Sequence, residues 1–183
     1  MIYFTSDLHF CHDREFLYKP RGFNNVEDMN NAIVQRWNNV VKQDDDVYIL
    51  GDLMLKDNER GCKFVETLNG KLHIVFGNHD TDNRIVLYSG LSNVIESAHA
   101  IRLRWNGYSF FLTHYPCLCG SLEKDAKHNI INLFGHTHSK ELFYEDRPYM
   151  YNVALDAHNC TPVDIHRVLD DIDRKYLECM AML

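Results

Sequence analysis

The sequence reads as an α/β fold whose first half is a parallel sheet with helical crossovers and whose second half turns antiparallel. Three observations carry this reading. Short apolar runs of strand character recur from the N-terminus to residue 134, and each ends in a cluster drawn from Gly, Asp, Asn and His. Helical periodicity separates the first three runs, which calls for parallel pairing with right-handed crossovers. Beyond residue 100, strict alternation and an Asn-Gly pair take over.

The first strand, residues 1–6, runs into Asp7-Leu8-His9. Phe10-Cys11-His12 and a polar, aromatic loop through Lys19-Pro20-Arg21-Gly22 follow, and the Pro and Gly argue against regular structure there. From Asn25 a helix is expected. Val26, Met29, Ile33, Trp37 and Val40 recur at three- and four-residue steps, and Asn25 is placed to cap the first turn. Asp44-Asp45-Asp46 falls between this helix and the next strand, where a solvated turn is a better reading than a metal cluster. The second strand, 47–50, runs into Gly51-Asp52. A helix over 58–68 carries Cys62, Phe64, Val65 and Leu68 and stops at Asn69-Gly70.

The third strand delivers Gly77-Asn78-His79-Asp80, and a weaker helix through Arg84, Ile85, Leu87 and Tyr88 follows it. Ile101, Leu103 and Trp105 alternate, Asn106-Gly107 signals a two-residue hairpin, and residues 108–113 return antiparallel into His114. Residues 130–134 run into Gly135-His136-Thr137-His138. A second hairpin is expected from 141–145 and 149–155 about Asp146-Arg147-Pro148. An amphipathic helix with Ile165, Val168, Leu169, Ile172 and Tyr176 on one face closes the chain. With 183 residues, 45% of them hydrophobic and 12% aromatic, a single globular domain over 1–183 is expected.

Charge and composition exclude several functions. A net charge of −7 offers no footprint for gripping nucleic acid or an anionic membrane non-specifically, which leaves small or local substrates. No basic leader and no apolar run near the ~20 residues of a membrane span are present, so a cytoplasmic protein is expected. The six cysteines show no CxxC spacing and read as thiols, mostly core filler. Cys117 and Cys119, near His114, read as bystanders.

The polar strand ends hold the chemistry. Asp, His, Asp, Asn, His, His and His together suit hard to borderline divalent metals, and two adjacent ions account for their number. One carboxylate must then bridge, and Asp52 is the natural bridge if its strand lies between the other two. Asn78 contributes a neutral oxygen, which leaves the site more electrophilic toward phosphate. Beyond a strand end, the spacing of His136 and His138 lets each imidazole serve a different ion.

At these residues the chain resembles the calcineurin-like metallophosphoesterases, specifically their small single-domain bacterial and phage members. The family pattern DxH, GD, GNHD, H, GHxH reads here as Asp7-Leu8-His9, Gly51-Asp52, Gly77-Asn78-His79-Asp80, His114 and Gly135-His136-Thr137-His138, in order across residues 7 to 138. The resemblance implies a metallo-dependent phosphatase fold, a four-layer α/β/β/α sandwich of two mixed β-sheets flanked by helices. It also implies a ligand split: Asp7, His9, Asp52 and His138 on one metal; Asp52, Asn78, His114 and His136 on the other. Mn²⁺ is the first expectation, with Fe, Zn or Ni as alternatives.

The expected reaction is hydrolysis of a small phosphoester, a diester before a monoester, by in-line attack of a bridging hydroxide. Asn78 and His79 would contact the substrate. His79 would protonate the leaving oxygen, with Asp80 orienting it. His12 and Arg21 are further candidates for the phosphate, Arg21 through its bidentate fork. Asn152, Asp156 and His158 are expected at the rim as support. A catalytically silent interaction scaffold is the competing class, and the intact ligand set argues against it.

Overall fold

The structure, a computed structural model, describes residues 1–121 and 124–182. Among these residues, nine strands form two mixed sheets. The five-stranded sheet has the order β4-β3-β2-β1-β9, from β1 (Ile2–Thr5), β2 (Asp46–Leu50), β3 (Lys71–Val75), β4 (Val94–Ala98) and β9 (Val163–Asp164). Its first four strands are parallel, and β9 runs antiparallel to β1. The second sheet has the order β5-β6-β7-β8, from β5 (Ile101–Trp105), β6 (Tyr108–Leu112), β7 (Ile130–Phe134) and β8 (Met150–Asn152).

Alternation along β1, β2 and β3 splits their side chains between two cores. Val47, Ile49, Leu72 and Ile74 face a cluster completed by Met29, Ile33 and Trp37 of α2 (Val26–Val40), Val65 of α3 (Asn58–Glu66) and Tyr88 of α4 (Asp82–Tyr88). Phe4, Tyr48, Leu50 and Val75 face the other cluster. There they meet Phe110, Leu112, Ile131, Leu133 and Tyr151 of the second sheet and Ile165, Val168, Leu169 and Ile172 of α5 (Ile165–Ala181). The result is two mixed sheets face to face, flanked by helices.

Local signals behave as their chemistry dictates. Asn25 caps α2 by accepting from the Asp28 amide at 2.9 Å. Asn106 (φ 45°) and Gly107 (φ 87°) turn β5 into β6 with both central residues left-handed, as a type I′ turn requires. The Asp44 turn holds too, although Asp45 is buried rather than solvated, because its carboxylate receives the Met1 ammonium at 2.6 Å and the Lys42 amide at 2.8 Å.

Four expectations need correction. The loop after His12 contains a helical turn, α1 (Glu15–Tyr18). The second hairpin does not form: β8 pairs parallel with β7, and the 141–145 segment meets it through the Phe143–Tyr151 bridge, the Asn152 amide on Leu142 O and the Asn152 side chain on Glu141 O rather than through a strand ladder. Glu145 (φ 48°) and Asp146 (φ 58°) are left-handed in a 3-10 turn, so that segment cannot extend as a strand. The strand β4 was not anticipated, since Glu96 and Ser97 interrupt its apolar pattern. Of the six cysteines, all free, only Cys11 and Cys160 are buried.

Candidate metal centre

Five strands, β1, β2, β3, β6 and β7, deliver the seven candidate ligands to one end of the sandwich. The loops beyond them are tied together. The Asp7 amide donates to Gly51 O at 3.0 Å, the His9 amide to Asp52 O at 3.0 Å, and the Gly135 amide to His114 O at 3.0 Å. Because β2 lies between β1 and β3, Asp52 emerges between Asp7 and Asn78. Two glycines keep the approach close. A Cβ on Gly77 would collide with Asp52 Oδ1, and one on Gly135 with Ser6 Oγ and Asp7 Oδ2.

Each buried carboxylate divides its work between its two oxygens. Asp7 Oδ2 accepts from the Ser6 hydroxyl at 2.5 Å and the His136 amide at 2.9 Å. Its Oδ1 is buried with no hydrogen-bond partner among the described residues, 3.8 Å from both His9 Nε2 and His138 Nε2. Asp52 Oδ1 accepts from the His79 amide at 2.9 Å, and its Oδ2 faces His9 Nε2 at 3.7 Å and His114 Nε2 at 3.6 Å. Asn78 Oδ1 stands 2.9 Å from both His114 Nε2 and His136 Nδ1.

Asp7, His9 and His138 bring ligand atoms together, as do Asp7, Asp52 and His114, and Asn78 Oδ1 links His114 to His136. His114 Nδ1 is 2.7 Å from Leu50 O and His138 Nδ1 is 2.9 Å from Asp156 Oδ2, so each ring donates there and turns a lone pair inward from Nε2. Lone pairs that converge at 3 to 4 Å beside an orphaned buried carboxylate oxygen repel one another unless a cation lies between them. The donor set therefore fits divalent metal.

Electrostatics agree. Burial raises the pKa of Asp52, with Asp7 and Asp80 adding to the effect and outweighing His114 and the His79 amide. Burial holds His9 well below its ordinary value, and the His138 charge pushes the same way. For His138 burial works downward, but the Asp156 hydrogen bond and the Asp7 charge carry the net shift up. Burial and like charges set the directions for Asp52 and His9, while the neighbouring carboxylates set that of His138.

The other candidates fall out as follows. His12 is buried beside the site, its ring 5.2 Å from that of His9 and 6.4 Å from that of His79, and burial lowers its pKa to about 4. His79 has its amide on Asp52 and its carbonyl on Arg84, while its side chain is 41% exposed and Nε2 lies 3.9 Å from Asp52 Oδ2. Two expectations fail. Arg21 offers no fork to a phosphate: its side chain is 1% exposed and donates to Asp156 at 3.0 and 2.7 Å and to the carbonyls of Asp7 and Leu8. Asp80 does not orient the His79 ring. Its Oδ2 accepts the Gly77 and Asp52 amides at 2.8 and 2.9 Å and its Oδ1 the Tyr88 hydroxyl at 2.6 Å, so it pins the ends of β2 and β3.

Asp156 links Arg21 to His138 and fixes that imidazole. Both hydrogen bonds offset the cost of its burial and hold its pKa well below the usual carboxylate range. Asn152 braces the loop after His138 by donating to Ser139 O and Glu141 O, and His158 Nε2 bonds Asn152 O at 2.8 Å. Ser6, Arg84 and Tyr88 are supporting residues that no sequence motif marked. Cys117 and Cys119 join no group of potential metal ligands among the described residues.

The fold and the ligand set define a metal-dependent phosphoesterase architecture, and the chain belongs to the calcineurin-like phosphoesterase superfamily, whose domain model matches residues 1–153. An uncharacterized protein of Methanocaldococcus jannaschii is 35% identical over 179 residues, covering 94% of this chain and 92% of its own length. The gene 66 protein of Mycobacterium phage L5 is 28% identical over 162 residues, covering 75% of this chain and 77% of its own. Among solved structures, a protein of unknown function from Aquifex aeolicus shares the fold, with a TM-score of 0.68 at 21% identity over 94% of this chain and 98% of that one. No helix among the described residues is long and apolar enough to cross a membrane.

Proposed function

We propose that this protein is a dinuclear metal-dependent phosphoesterase acting on small phosphodiesters. The observation that carries the reading is the position of Asp52 Oδ2, 3.7 Å from His9 Nε2 and 3.6 Å from His114 Nε2, which would let this carboxylate serve two ions. Asp7, His9, Asp52 and His138 would hold one ion, and Asp52, Asn78, His114 and His136 the other. The oxygen and imidazole donors favour Mn²⁺, with Fe, Zn or Ni as substitutes. When bound, such ions supply Lewis acidity toward phosphoryl oxygens and a nucleophilic water at neutral pH.

The chain's own residues do the rest. Asp156 and Leu50 O fix the His138 and His114 rings, so neither pays to reorient during turnover. The half-exposed His79 ring lies beside Asp52 and would protonate the leaving oxygen, and His12 would close the same side of the site. Six free thiols are in keeping with a cytoplasmic location. Chelator-stripped protein should lose hydrolysis of bis(4-nitrophenyl) phosphate and regain it with Mn²⁺. A rate retained after verified demetallation would overturn the reading.

A further inference from the structure

Two aromatic side chains stand exposed at the rim of the ligand set, and neither ring belongs to a core cluster. Phe16 is 73% exposed and Tyr115 50% exposed. Tyr115 packs edge-on against His136, with ring centroids 4.6 Å apart, and against His114 at 5.1 Å. Those are the two imidazoles of the Asn78 group. Phe16 packs edge-on against His12 at 5.8 Å, and His12 leads to His9 and His79 on the Asp7 side. Tyr115 thus flanks His114 and His136 directly, while Phe16 stands on the Asp7 side behind His12. Between them lie the exposed imidazoles of His79, His136 and His138.

Single exposed apolar residues are ordinary on any surface, so exposure alone says nothing. Placement does. A phosphodiester carries two organic groups on phosphorus, a monoester one, and two rings astride a phosphoryl site match the former. Stacking on an aromatic side chain is tolerant of base identity because every base presents a π-face.

We propose that Phe16 and Tyr115 are specificity-determining residues that each stack one planar ester group, so that the site selects phosphodiesters bearing aromatic or nucleobase substituents. The proposal rests on the phosphoesterase reading above and adds the substrate class. It predicts that Mn²⁺-loaded protein prefers thymidine 5′-(4-nitrophenyl) phosphate to methyl 4-nitrophenyl phosphate, two diesters with the same leaving group.

Phe16→Ala and Tyr115→Ala separate the two platforms. One should reduce the preference in kcat/KM about tenfold or more, the scale of losing one base stack. The other, having lost the ring under the nitrophenyl group, should raise KM for both esters. Phe16→Tyr and Tyr115→Phe, which keep a ring, should retain the wild-type pattern. No preference in the wild type, or an effect at only one position, would overturn the proposal. If neither ester were hydrolysed, the phosphoesterase reading would fall separately, and titration with the intact thymidine 5′-(4-nitrophenyl) phosphate would judge the platforms. Weaker binding in both alanine variants would then support them, and equal binding throughout would reject them.

Discussion

His79 lies beside the ligand set, its ring 5.5 Å from that of His9 and its Nε2 3.9 Å from Asp52 Oδ2, and it is held by its backbone rather than by its ring. Its amide donates to Asp52 and its carbonyl accepts from Arg84, so removing the imidazole leaves the strand end in place. His79→Ala should therefore keep its metals and lose the proton-donor contribution, about 10² to 10⁴ in rate. The loss should be larger for alkyl than for aryl leaving groups, since a good leaving group needs little protonation. Equal impairment across a leaving-group series would make His79 a charge stabiliser instead, and metal loss would make it a ligand. At this scale the sequence was legible wherever chemistry lies in adjacent letters, as in Gly77-Asn78-His79-Asp80. It misled for Asp80, because neighbouring residues beyond a strand end need not face the same way, and for Arg21, whose partner Asp156 lies 135 residues away.

Among the elements, α4 contributes most to the site relative to its length of seven residues. Tyr88 is fully buried and donates to Asp80, the carboxylate that receives the amides of Gly77 and Asp52. Tyr88→Phe leaves one oxygen of that buried carboxylate without its donor, which should cost about 1–3 kcal/mol. Urea denaturation should show a lower midpoint at unchanged slope, and an unchanged midpoint would mean that water replaces the hydroxyl at no cost. Long helices such as α2 were readable from periodicity and a capping Asn25. The strand β8 was readable but its pairing was not, because Asp146-Arg147-Pro148 looks like a hairpin turn while the choice of a parallel partner, β7, depends on residues distant in sequence. The two-residue β9 is too short to leave a pattern.

For the whole molecule, the candidate centre joins the two sheets: Asp7, His9, Asp52 and Asn78 come from beyond strands of one, and His114, His136 and His138 from beyond strands of the other. An ion bound only by the native arrangement stabilises it by mass action, about 2.7 kcal/mol at a hundredfold excess over Kd. For a chain of this size, saturating Mn²⁺ should raise Tm by roughly 5–10 °C over the chelated protein. No shift in differential scanning calorimetry would mean that the native ligand set does not bind the ion.

Five of the seven candidate ligands, Asp7 (φ 57°), His9 (φ 51°), Asp52 (φ 57°), His136 (φ 67°) and His138 (φ 49°), hold left-handed backbone. Side chains with a Cβ sit there at a cost of about 1–3 kcal/mol each, which the surrounding structure must offset. Glycine would relieve much of that strain but would remove the ligand. Decay of such a site is thus thermodynamically downhill. In a descendant freed from the need for its ions, loss of the ligands would be favoured by folding stability as well as tolerated by relaxed selection.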